Sequence, residues 1–384
     1  MKGTDRKLTV LQMLPDLDSG GVERGTLELG RYLTARGHRS LVVSGGGRLV
    51  KQLEEEGSTH YSWRIGIKNP LTLRYLIPLR RLLVREKVDI LHLRSRVPAW
   101  LGYLAWRSLP PGRRPRLVTT FHGFYSVNCY SAVMTKGEKV IAVSGVVARH
   151  IAEAYGVEEK RIAMIHRGVD CELFDPGSVA AERVEELRGL WEIPRPAPPL
   201  ILLPGRITRL KGHDVFIKAL ARLTDLKWLA LCVGAIDDNP DYAAELRTLI
   251  RQCHLTERVR LVGHCRDIPA ALHLADLVVS ATSTKPESFG RVAVEAAAMA
   301  RPVIATAHGG SLETVRHGVT GWLVEPGNAA AMADTLRQAL ADQDFLHRLG
   351  QSGRELVLTN FTLEKMCRQT LTLYQELSST GRQG

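Results

Sequence analysis

The chain has 384 residues, 45% of them hydrophobic and 24% charged, with a formal net charge of +12. That length exceeds one ordinary core and implies two domains. The composition excludes a disordered or fibrous protein, and no apolar run of roughly 18 residues is present to cross a bilayer.

In chain order, strands are predicted at 8–14, 40–44, 89–93, 117–121 and 139–143, each an apolar or β-branched run that ends at a small or polar residue. A helix is predicted at 22–36, between Gly20-Gly21 and a stop at Gly37. Met1 to Lys7 is charged and leads straight into the first strand, so no signal peptide is expected. Pro194-Arg-Pro-Ala-Pro-Pro199 reads as a stiff linker, because proline neither continues a helix nor pairs in a central strand. A second series follows, with strands at 200–203, 228–233, 259–262, 277–280, 303–305 and 321–324, and helices that include 329–341 and 363–377. The alternation predicts doubly wound α/β domains with functional loops at the C-terminal ends of parallel strands. The expected boundaries are a first domain at 1–193, a linker at 194–199, a second domain at 200–358 and a terminal segment at 359–384.

The charge is uneven. Over residues 64–116, thirteen Lys or Arg stand against two acids, Glu86 and Asp89, which is nearly the whole positive excess and suits an anionic surface as partner. Leu71, Leu73, Leu76, Ile77, Leu82 and Leu83 intersperse with Arg74, Arg80, Arg81 and Arg85, interrupted by Pro78, and Trp100, Tyr103 and Trp106 recur every three residues. A basic amphipathic helix with interfacial aromatics lies on an anionic membrane. The alternative is an apolar face packed on the core with its arginines in water. No nucleic-acid motif accompanies the charge, so nucleic acid is not an expected partner. The six cysteines, Cys129, Cys171, Cys232, Cys253, Cys265 and Cys367, match neither a zinc site nor a disulfide framework, and unpaired thiols in a reduced compartment are expected.

Two segments carry most of the chemistry. Gly205-Arg206 through Lys211-Gly212 places two cations on a glycine-flanked loop after an apolar strand. Such cations stabilise the charge that develops on a departing nucleoside diphosphate, Arg as a fork and Lys as a point charge. The plainer alternative is a pair of solvated loop charges. Glu287-Ser288-Phe289-Gly290-Arg291 puts one acid on a loop before a helix, and Glu295 follows inside that helix among Val292, Ala293, Val294, Ala296, Ala297, Ala298 and Met299. A carboxylate in so apolar a helix needs a partner, and the pair suits sugar and ribose hydroxyls; the alternative is two acids favoured by the helix dipole. Together these features suit a sugar nucleotide. Gly20-Gly21 permits close approach of a phosphate, although the full G-x-G-x-x-G is missing. His122 ends a strand before Gly123 and is a hydrogen-bond donor to sugar or acceptor, or else a satisfied structural histidine. His308-Gly309-Gly310-Ser311 with Glu313 offers backbone amides to a diphosphate.

With Arg301-Pro302-Val303-Ile304-Ala305 and the terminal Asn360-Phe361-Thr362, these motifs resemble those of the retaining group-1 glycosyltransferases, glycosyltransferase family 4 of GT-B fold, over nearly the whole chain. Thr119-Thr120-Phe121-His122-Gly123-Phe124-Tyr125-Ser126 is similar to members that act on bacterial envelope lipids, particularly lipopolysaccharide core. The resemblance implies two Rossmann-like domains facing a cleft, with a C-terminal helix crossing back to the first. It implies a hexosyltransferase-type enzyme using a UDP-, GDP- or ADP-linked sugar, a glycan or glycolipid acceptor, and no cofactor or metal. Arg206 and Lys211 would hold the diphosphate, Glu287 with the amides of Phe289 and Gly290 the sugar, and Glu295 the ribose, with Arg291 also on the donor side. The Gly20-Gly21 amides would close on the phosphate, and His122 would lie by the sugar. The anomeric configuration would be retained, by front-face displacement, since no carboxylate nucleophile stands out. Members often carry a second histidine where Arg94 stands here, which puts an acceptor role for that strand end in doubt. The expected location is cytoplasmic, on the inner face of the bacterial membrane. A sugar-nucleotide epimerase of the same architecture and a silent sugar-nucleotide-binding partner are the alternatives; acceptor-dependent donor consumption separates them from a transferase.

Overall fold

The structure is a computed structural model that describes residues 6–18 and 20–379; the charged start at Met1 to Asp5 lies outside them. The chain divides into two compact units, Met1–Arg167 with Leu363–Gly384, and Gly168–Thr362. The first holds strands β1 (Thr9–Met13), β2 (Arg39–Ser44), β3 (Thr59–Ser62), β4 (Ile90–Leu93), β5 (Arg116–Phe121), β6 (Lys139–Ala142) and β7 (Ile162–Met164). All neighbours pair parallel, in the order β3-β2-β1-β4-β5-β6-β7. Its helices begin with α1 (Gly21–Ala35), α2 (Val50–Glu55), α3 (Leu76–Arg85), α4 (Arg96–Arg107) and α5 (Gly145–Tyr155).

Alternate residues of these strands feed opposite faces, as the period of two requires. Leu11, Met13, Leu41, Val43, Leu91 and Leu93 pack with α3 and α4. Val10, Ile90, Val118 and Ile141 pack on the other face with Leu29 and Leu33 of α1. The strand positions agree with the sequence to within a residue or two, except for β3 and β7, which it did not show. Both are edge strands of half-exposed residues.

The second unit holds β8 (Leu200–Pro204), β9 (Leu229–Val233), β10 (Val259–Gly263), β11 (Leu277–Ser280), β12 (Val303–Thr306) and β13 (Gly321–Val324), parallel in the order β10-β9-β8-β11-β12-β13. Around them lie α6 (Ala181–Leu190), α7 (His213–Leu220), α8 (Pro240–Gln252), α9 (Ile268–Leu274), α10 (Arg291–Ala298), α11 (Ser311–Thr314), α12 (Ala329–Ala341) and α13 (Gln343–Asn360). The boundary differs from the expected one. It falls at Arg167/Gly168, and the proline-rich 194–199 segment lies inside the second unit. The cause is burial: Val169, Phe174, Leu187, Trp191 and Ile193 share one apolar cluster with Leu200, Leu202 and Leu231. Arg183 of α6 adds a two-bond contact to Asp267, both at 2.7 Å.

The last helix, α14 (Leu363–Ser379), returns to the first unit. Its Cys367, Leu371, Leu373, Tyr374 and Leu377 join the β1–β4 face beside α1. Tyr374 Oη lies 2.7 Å from His92 Nδ1, and His92 Nε2 lies 2.6 Å from Thr120 Oγ1, so all three buried groups are satisfied. Tyr374→Phe strips His92 of one partner. We expect urea denaturation to show a loss of about 1–3 kcal/mol, with turnover nearly unchanged.

Candidate active site

In the second unit the chain order reverses between β8 and β11, and ligands of open α/β sheets bind outside the strand C-termini at such a switch point. The loops that leave these two strands carry Lys211 and Glu287. Lys211 Nζ forms an ion pair with Glu287 Oε1, with each side chain 19% exposed. Thr282 Oγ1 donates to the same oxygen at 2.9 Å. Burial pushes the Glu287 carboxyl up, but Lys211, Thr282 and His308 together hold it below the usual carboxylate value. The site therefore presents an ionised carboxylate beside Lys211 at neutral pH.

Glycine makes this packing possible. Gly212 has φ +67°, and a Cβ there would run into the carbonyl of Ala281, so the Lys211 turn lies backbone to backbone on the loop after β11. Gly309, with φ +63°, lies as closely against Glu287, and Gly310 N donates to Glu287 O at 2.7 Å. The expected His308-Gly309-Gly310-Ser311 segment thus braces the glutamate loop. His308 Nε2 and Ser311 Oγ are buried there with no hydrogen-bond partner among the described residues. Gly205 N donates to Val233 O, and Gly234 N to Gly263 O, both at 2.9 Å, which leaves a floor without side chains at the ends of β8, β9 and β10.

The other residues of this unit expected on the donor side lie on the loops after β8 and β11 and on α10. Arg206 is exposed on the loop after β8 and makes no ion pair or hydrogen bond among the described residues. Glu295 finds its partner one turn back, accepting from Arg291 Nε at 2.6 Å. Phe289 buries its ring at 5.7 Å from that of Phe361. Gly290, φ +82°, precedes α10, which has no side-chain cap.

In the first unit the structure groups Gly21, His122 and Arg167. A Cβ on Gly21 would collide with the Arg167 guanidinium, and Arg167 Nη2 donates to His122 Nδ1 at 2.9 Å. Guanidinium only donates, so Nδ1 accepts and the ring proton lies on Nε2. That Nε2–H is buried and unpartnered among the described residues. Burial, then Arg167 and Arg94, push the His122 pKa well down. His122 is a neutral donor. Gly20, φ +141°, caps α1 without a side-chain bond. Arg94 is buried and donates to Gln12 Oε1 at 2.8 Å. Arg167 and Thr282 went unseen in the sequence. Each lies two or three residues past a strand end, which was a usable signal only for Thr282, because β7 itself was not recognised.

The basic stretch resolves into two parts. A 3-10 segment (Pro70–Tyr75) leads into α3, with Pro78 in its first turn where proline is tolerated. The aromatics do not join its exposed face: Trp100 Nε1 donates to Tyr130 O at 2.9 Å and Trp106 Nε1 to Pro115 O at 2.7 Å. Tyr103 stacks on Trp106. All six cysteines are free. Among the described residues, no helix is long and apolar enough to cross a membrane.

Two parallel-sheet units with charged loops at a switch point define a Rossmann-like enzyme architecture. Residues 192–356 match the family described as Glycosyl transferases group 1, and residues 19–173 match Glycosyltransferase Family 4. The crystal structure of a glycosyltransferase from Rickettsia africae ESF-5 is 36% identical with a TM-score of 0.90, over 98% of this chain and 100% of that one. N-acetyl-alpha-D-glucosaminyl L-malate synthase of Bacillus anthracis is 26% identical over 96% of this chain and 97% of that protein. D-inositol 3-phosphate glycosyltransferase 1 of Catenulispora acidiphila is 31% identical over 66% of this chain and 60% of that protein. The chain belongs to the group 1 glycosyltransferases, with a Family 4 N-terminal domain and the GT-B fold.

Proposed function

We propose that this enzyme moves a sugar, with retention of anomeric configuration, from a nucleotide-diphosphate donor to a hydroxyl of an envelope glycan or lipid-linked acceptor at the inner face of a bacterial membrane. The observation that carries the reading is the Lys211–Glu287 pair at the β8/β11 switch point. An arriving diphosphate takes the Lys211 ammonium, with Arg206 as a second cation. Glu287, released from the ion pair, accepts from sugar hydroxyls, and Glu295 does so from the ribose. His122 Nε2–H donates to a sugar oxygen. As the glycosidic bond breaks, charge grows on the β-phosphate, where fixed cations stabilise it most. The acceptor hydroxyl oxygen bonds to the anomeric carbon on the face the diphosphate leaves, and its proton passes to the departing β-phosphate oxygen.

A second reading of the acceptor has its own support. The two curated relatives are named for L-malate and inositol 3-phosphate, and Arg167 beside the N-terminus of α1 suits a small anion. On this reading the acceptor is a small anionic hydroxyl compound.

A thermal-shift screen of UDP-, GDP- and ADP-sugars tests the donor. At a hundred times its Kd the right donor adds about 2.7 kcal/mol, which is several degrees. Donor consumption should then depend on an added acceptor, with malate, inositol phosphate and lipid-linked glycan separating the two readings. We expect EDTA to leave the rate unchanged, since cations of the chain do the work. No shift with any nucleotide sugar would overturn the donor assignment.

A further inference from the structure

The face of α3 that leaves the core carries charge and apolar surface, and Glu86 pairs with its last arginine, Arg85, at 2.8 Å. The side chains of Arg80, Arg81 and Arg113 are exposed and make no hydrogen bond or ion pair among the described residues. They rim a groove of about 620 Å³ between α3 and the turn that follows α4. Its apolar wall includes Ile77 and Val84, which are 61% and 45% exposed. The 3-10 segment before α3 continues the same character, with Leu71 67% and Leu73 53% exposed.

We propose that this groove and the 3-10 segment form a docking surface for an anionic lipid bilayer. The arginines take headgroup phosphates, while Leu71, Leu73 and Ile77 enter the headgroup–acyl boundary. The combination selects the occupant. A free phosphate would need the cations alone, and the exposed leucines beside them would serve no purpose. Single-stranded nucleic acid is bound by cations plus open aromatic faces, and the nearby aromatics are committed: Trp100 and Trp106 are bonded to backbone carbonyls, and Arg114 covers Trp106 at 4.7 Å. An interfacial surface needs aliphatic side chains next to free arginines, and these elements present both. The proposal rests on the membrane placement proposed above, but its test is distinct from that of the donor assignment, because docking needs neither sugar nor acceptor.

The test is co-sedimentation of the whole chain with phosphatidylcholine vesicles, with and without about one third phosphatidylglycerol. Binding is expected only with the anionic lipid, and should fall steeply with added salt. The combined Arg80→Ser, Arg81→Ser, Arg113→Ser variant should lose more than about tenfold in partition, given the worth of each basic residue near such a surface. Leu71→Ser with Ile77→Ser should weaken binding while keeping the salt dependence. All five positions are exposed, and an unchanged melting temperature verifies the fold; if the combined variant melts early, Arg80→Glu alone carries the same test. Equal binding to neutral vesicles, wild-type binding by the arginine variants, or displacement by millimolar glycerol phosphate would each overturn the proposal.

Discussion

Lys211→Ala and Glu287→Ala should each lower turnover by at least about tenfold, a loss of roughly 1.4 kcal/mol or more of transition-state stabilisation. On the proposed function the two residues act on different parts of the donor, so the kinetic signatures should differ. Lys211 meets charge that grows as the bond breaks, and its loss should fall mainly on kcat. Glu287 meets hydroxyls in both the ground and transition states, and its loss should raise KM as well. Stability separates this reading from that of a merely structural ion pair. Each single variant leaves the other charge without its partner in a largely buried place, at a cost of about 1–3 kcal/mol. The double variant removes both charges, so its stability should recover towards wild type while its activity does not. Recovery of both would make the pair structural only. The pH dependence has a definite sign. Glu287 ionises below its ordinary value in the folded state. Its contribution to stability is therefore complete above the ordinary carboxylate pKa of about 4.3 and is lost as pH falls through the lower folded value. Unfolding followed between neutral pH and roughly pH 3 reads this directly.

The parallel strands were legible because burial on both faces leaves continuous apolar runs, as in Leu200–Pro204 and Val303–Thr306. The edge strands Thr59–Ser62 and Ile162–Met164 carry no such run, and with the second went the position of Arg167. The domain boundary was hidden for a different reason. Proline marks a stiff segment but does not say which core it sits on, and Trp191 and Ile193 decide that by where they bury. The charged residues of the site were legible as types. Their pairing was not, because Lys211 and Glu287 stand 76 positions apart and meet only through the order of strands. Spacing also failed for Trp100, Tyr103 and Trp106, since a period of three does not tell an interfacial stripe from indoles bonded inward.

Gly309→Ala should cost more than removal of any one charge. Gly309 and Gly318 have similar left-handed backbones, φ +63° and +71°. An added Cβ at Gly318 meets nothing within 4 Å, whereas at Gly309 it strikes the backbone of Glu287 and lies 2.8 Å from Pro286 Cβ. Gly318→Ala therefore carries only the conformational penalty, about 1–2 kcal/mol, and should leave turnover intact. Gly309→Ala carries that penalty and must also push the glutamate loop outward, because neither contact is the free end of a flexible side chain. A displacement of about 1 Å at a catalytic group costs on the order of a hundredfold in rate. Glu287 would move while keeping its chemistry, so donor affinity in a thermal-shift titration should weaken together with kcat. The comparison of the two alanine variants isolates the close approach from backbone strain. Equal losses at both positions would mean that strain alone, and not the brace behind Glu287, accounts for the effect.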